Sequence, residues 1–195
     1  MRIALLAATA TAAFLGGCGR PSTSQANKAE ANPMTNASLQ MKMARAGPGA
    51  MTIPAAVTDK DQALKVMKIR HDGMEALGKA MKTLHRALDS SPPDINAIRA
   101  QTSAMAVAGT RIPELFPPGT GPDVAKTRAK PEIWKQQDLF LKKAKVYLAA
   151  AQAIDAAAKA GDVKKVMALH DDVDKACDAC HKPFRAPEHC AARQP

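Results

Sequence analysis

"KACDACHKPFR", residues 175–185, places three potential metal ligands within five positions: Cys177, Cys180 and His181. Three chemistries use such a cluster. A disulfide shuttle carries its CxxC where a strand meets a helix in a mixed α/β fold, and no alternating Val/Ile/Thr strand pattern runs through this chain. A structural zinc ion needs four ligands. His189 or Cys190 in "EHC" could help to complete that set, although the spacing matches no common zinc ribbon. Covalent haem attachment needs two thioether-forming cysteines followed at once by a histidine, and C-x-x-C-H supplies them. On a helix the three residues fall within about one turn, so both thiols and the imidazole address one face. Haem is the reading that the motif favours; zinc is kept as a third option.

Outward from this motif the chain reads as helices. From Asp59, the residues Leu64, Met67, His71, Met74, Gly78, Met81, His85 and Leu88 recur in steps of three and four, the seam of a bundle helix. Thr58 is the expected N-cap, and "SSPPD" ends the helix. A second helix opens at Asp94 with Ile95, Ile98, Met105 and Ile112 on one face, and breaks at "FPPGTGPD". A third begins at "KPEIW", with Pro131 in its first turn and Ile133, Phe140, Ala144, Tyr147, Ala151 and Ile154 along its apolar stripe. Gly161 stops it. A fourth opens at Asp162 and carries Val163, Val166, Met167, Val173, Cys177 and Phe184. The expected fold is all-α: an antiparallel four-helix bundle around one covalent haem c. Aromatic residues make up only 3% of the chain, which suits a core built around a large flat cofactor.

The N-terminus reads as an export signal. "MRIALLAATATAAFLGGC" has a positive start, an apolar run from Ile3 to Leu15, and small residues before a cysteine. That run is shorter than the roughly 20 residues a spanning helix needs. "LGGC" resembles a bacterial lipobox, which would make Cys18 the lipid attachment site; a plain secretory signal is the alternative. The expected organisation is therefore a lipoprotein-type signal peptide over 1–17, a flexible tether over 18–57, the bundle over 58–187 and a tail over 188–195. The expected location is the periplasmic side, anchored to the membrane through the lipid.

A formal net charge of +10 raises the question of nucleic acid. The Lys and Arg residues are spread among acids, with neither a DNA-reading motif nor a row of stacking aromatics, so no nucleic-acid partner is expected. The positive field instead favours acidic redox partner proteins or anionic membrane. No nucleophile–base–acid constellation is visible, and the chain reads as a carrier and not an enzyme.

Taken together, the chain over residues 59 to 186 resembles the cytochrome c prime family. "CDACH" near the C-terminus, the downstream Arg185, the first-helix run "RHDGMEALGKAM", and "ELFPPGTG" followed by "KPEIW" carry the resemblance. It implies roles at matching positions. Cys177 and Cys180 bond the haem, and His181 is the proximal iron ligand. Arg70 lies near the propionates, Arg185 stands beside the proximal histidine, and Trp134 packs near the haem edge. Met74 faces the distal side. Some members ligate a helix-one methionine and pass single electrons; others leave the iron five-coordinate and high-spin and bind nitric oxide or carbon monoxide. The expectation is a single-electron carrier with Met74 as sixth ligand, with His71 as a rival and the gas-binding form as the alternative. A homodimer is compatible with the sequence.

Overall fold

The structure, a computed structural model, describes residues 51–187. The expected signal peptide, the proposed lipid site Cys18, most of the tether and the tail lie outside the described residues. Five α-helices follow one another: α1 (Lys60–Asp89), α2 (Ile95–Gly109), α3 (Glu132–Lys135), α4 (Gln137–Lys159) and α5 (Val163–Phe184), with a 3₁₀ turn at Ile112–Leu115. α1, α2, α4 and α5 are the long members of the all-α bundle, and no helix among the described residues is long and apolar enough to cross a membrane.

Short polar caps start three of these helices. The carboxylates of Asp59, Asp94 and Asp162 accept from the backbone N–H of Gln62, Ala97 and Lys165 at 2.7, 3.0 and 2.9 Å. Each such cap contributes about 1 kcal/mol. The cap of α1 is thus Asp59 and not Thr58. Gly161, at φ +76°, ends α4 in a conformation that side chains with a Cβ resist. The helix expected to run unbroken from "KPEIW" is split. Gln136 leaves helical geometry at φ −125°, ψ 52°, which sets α3 at its own angle to α4. That angle lets the Trp134 indole N–H donate to the carbonyls of Phe116 and Pro117, both at 3.1 Å.

The core runs along α4, whose stripe Phe140, Ala144, Tyr147, Ala151 and Ile154 is buried as its spacing requires. Phe140 meets Phe116 and Phe184 edge-on, with ring centroids 4.9 and 5.5 Å apart. Val166 and Val173 of α5 are fully enclosed, but Met167 is 54% exposed and does not belong to the core.

α1 departs most from its expected seam. Its buried residues are Ala63, Met67, Arg70, Gly73, Ala80, Leu84, Ala87 and Leu88, whereas Leu64, His71, Gly78 and His85 face outward and Met74 and Met81 are half-buried. Small alanines and one buried arginine carry the inner face, so a search for large apolar side chains finds a stripe turned to one side of it.

Candidate functional site

Cys177 and Cys180 stand half-buried on the last two turns of α5. Burial first, then the negative charges of Asp174, Cys180 and Asp178, pushes the Cys177 thiol up to about 11. Burial raises Cys180 too, with Lys143 opposing it. Redox shuttles work through thiols held below their ordinary value, so this pair has the wrong electrostatics for disulfide exchange. Among the described residues no three His, Cys, Asp or Glu side chains converge on a metal position. His189 and Cys190, the candidates for completing a zinc set, lie outside the described residues.

His181 follows directly. Its ring is held below the ordinary histidine value by burial and then by the Arg185 charge; Asp178 opposes, and Arg128 adds to the lowering. At neutral pH the imidazole is therefore neutral, the form that ligates a metal. Arg185 is exposed, and its N–H donates to the carbonyl of His181 at 2.8 Å. The backbone of Arg128–Lys130 joins this end of α5. Ala186 N–H donates to Arg128 O at 2.8 Å, and Lys130 N–H to Phe184 O at 2.9 Å.

Arg70 lies on the buried face of α1. It is 4% exposed, and its guanidinium donates to the connection between α2 and α3. The acceptors are Thr120 Oγ1 at 3.0 Å, Thr120 O at 2.9 Å, Thr127 Oγ1 at 3.3 Å and Leu115 O at 3.4 Å. It also lies over the rings of Phe116 and Trp134, at 5.0 and 5.9 Å from their centroids. Trp134 therefore serves this same connection. His71, the rival ligand, is turned to solvent with its ring 3.5 Å from Glu75.

Packing tests whether these residues fit a haem. α4 lies along both α2 and α5, and α1 along α2, but α1 and α5 share no comparable interface. They meet where the His85 and His170 rings lie 5.5 Å apart. From that meeting point the antiparallel register is fixed: Met74 precedes His85 by eleven residues and His181 follows His170 by eleven. Both are about 16 Å along their helices, so Met74 comes level with His181. At this level the inward side chains are apolar and half-buried: Met74, Leu77 and Met81 on α1, Cys177 and Cys180 on α5. A loosely joined helix pair, apolar inside, with two thiols on one wall and the exposed His181 next to them in sequence, fits a planar covalent cofactor. Arg70 adds a buried cation whose hydrogen-bond partners include no carboxylate, and the haem propionates would supply that charge.

Comparison with known proteins agrees. The family model described as Cytochrome C′ matches residues 65–185. Cytochrome c′ of Allochromatium vinosum is 28% identical over 145 residues, covering 72% of this chain and 90% of that protein. Among solved structures, a cytochrome c′ with an unusual ligand-controlled dimer dissociation superposes with a TM-score of 0.60 at 25% identity, covering 68% of this chain and all of that one. A nitric oxide complex of a mutant cytochrome c prime from Alcaligenes xylosoxidans matches with a TM-score of 0.57 and 25% identity, over 68% of this chain and 99% of that one. These relatives correct the expected electron carrier with a His181/Met74 axial pair. Variants of cytochrome c prime from Alcaligenes xylosoxidans bind nitric oxide, and an iron that accepts nitric oxide is not one whose sixth position a thioether holds. The resemblance that set Met74 opposite His181 does not distinguish a ligand from an apolar cover.

Proposed function

Because the chain belongs to the cytochrome c′ family of all-α, four-helix-bundle monohaem c-type cytochromes, we propose that it binds nitric oxide or carbon monoxide at a five-coordinate iron. Family members carry electrons or small gases and are not enzymes. Covalent haem c comes with the family. In this chain Cys177 and Cys180 would hold it by thioether bonds, and His181 would ligate the iron. When bound, the haem supplies an iron that takes a diatomic gas on the side away from His181.

The register between α1 and α5 carries this reading. Met74 stands level with His181 among Leu77 and Met81, so the side facing the imidazole is apolar. An apolar wall offers no hydrogen bond to a bound gas and excludes water, which selects small uncharged ligands. Met74 covers the position and must move aside for the gas.

Absorption and EPR spectra of the oxidised protein should therefore be high-spin. Met74→Ala should stay high-spin and bind carbon monoxide about tenfold faster or more, since the cover is gone. A low-spin wild-type protein that Met74→Ala converts to high-spin would sink this reading.

Export and anchoring are proposed on the leader pattern, ending in "LGGC". Wild-type protein should sediment with membranes, and Cys18→Ser should release it or stall its processing. Unmodified wild-type chain recovered free of membranes would count against the anchor.

A further inference from the structure

We propose that His85 and His170, together with Asp89, bind a divalent first-row transition ion such as zinc at the end of the bundle away from "CDACH". The two rings come from different helices, lie 5.5 Å apart between centroids and are tilted by 34°, so they do not stack. His170 Nε2 is buried and has no hydrogen-bond partner, and a buried polar atom left in that state points to a missing water or ion. The other nitrogen of that ring, Nδ1, is 3.7 Å from Asp171 Oδ1.

On α1, His85 Nε2 and Asp89 Oδ2 are 3.3 Å apart, one turn from each other. Metal–nitrogen and metal–oxygen bonds of about 2.1 Å at tetrahedral angles separate two ligand atoms of one ion by roughly 3.4 Å. The pair already has that spacing. As the side chains stand, no three such donors converge among the described residues. The His85 and Asp89 side chains are 64% and 65% exposed and free to swing, whereas His170, at 18%, is held in place. Binding would draw the exposed pair onto the fixed imidazole. Two imidazoles and a carboxylate suit zinc or copper(II), and water fills the remaining positions. The ion would tie α1 to α5 where they already touch.

The chain contains its own control. His71 and Glu75 repeat the same one-turn spacing on α1, with the ring 70% exposed and, among the described residues, no second histidine ring beside it. The test uses the haem-loaded protein with His189→Ala and Cys190→Ser, so that the tail donors cannot compete. Calorimetric titration with zinc should show one equivalent bound, and zinc should raise the thermal midpoint. His85→Ala and His170→Gln should each weaken binding tenfold or more and remove the thermal shift, with the haem spectrum unchanged. His71→Ala should change neither. Absence of zinc binding at millimolar concentration would overturn the proposal, as would binding that survives both His85→Ala and His170→Gln. Because the readouts are zinc heat and thermal shift, they do not depend on which gas the haem takes.

Discussion

Replacing Cys177 and Cys180 together by alanine should give a colourless chain, with no haem stain on a denaturing gel and no cooperative unfolding transition. The reason lies in how the helices share their faces. α2, α4 and α5 are joined through Ile98, Met105, Phe140, Tyr147, Ile154, Val166 and Val173, a continuous buried set. α1 rests on α2 but shares no comparable interface with α5, where the half-buried methionines stand level with the two thiols. A haem held by the two thiols would complete that fourth contact. A domain's net stability is only about 5–15 kcal/mol, and a fully buried large side chain contributes about 1.5–3 kcal/mol. Losing a group that touches several such side chains removes most of the total. Circular dichroism should show reduced helicity with a broad melt. Each single variant keeps one thioether and should stay coloured. A wild-type protein matured with haem machinery present, yet colourless and loaded with stoichiometric zinc at these cysteines, would overturn the haem assignment.

The haem motif and α4 were legible because both obey local rules. C-x-x-C-H needs only adjacency along one helix, and the α4 stripe from Phe140 to Ile154 is apolar at every expected step. The caps Asp94 and Asp162 and the stop at Gly161 follow from side-chain chemistry alone. α1 was read less well. Its inner face contains Arg70, Gly73 and three alanines, and a charged residue at the centre of a helix face reads as solvent-exposed until its partners are known. Those partners, Leu115, Thr120 and Thr127, lie 45 to 57 residues away in a connection with no periodicity. The His85–His170 contact was hidden for the same reason of distance in sequence. Met74 shows a different limit: an unbranched thioether fills an apolar wall as readily as it ligates a metal, so its place in the sequence does not reveal its role.

Arg70→Met should destabilise the protein by about 3–5 kcal/mol, lowering the thermal midpoint by roughly 10 °C or more. Four hydrogen bonds from the guanidinium hold the connection between α2 and α3 against α1. Bonds from a charged donor contribute about 1.5–3 kcal/mol each, and orphaned carbonyls cost about 1–3 kcal/mol. The Leu115 and Thr120 carbonyls would lose this donor. Burial opposes the bonds. It lowers the guanidinium from its ordinary value to about 10, a cost of about 3 kcal/mol at 1.36 kcal/mol per pKa unit. Methionine relieves that cost, which is why the net loss is smaller than the sum of the bonds. The sign of the pH dependence follows. Below about pH 10 Arg70 is protonated in both folded and unfolded chains, so its contribution is flat across neutral pH. Above that the unfolded chain holds the proton more tightly, and the burial cost is relieved as pH rises. The difference between wild type and Arg70→Met should accordingly be constant from about pH 5 to pH 9. Arg70→Lys keeps the charge but has one ammonium where the fork reaches acceptors on Leu115, Thr120 and Thr127, and it should recover less than half of the loss. A lysine variant as stable as wild type would show that charge, and not the planar fork, holds this connection in place.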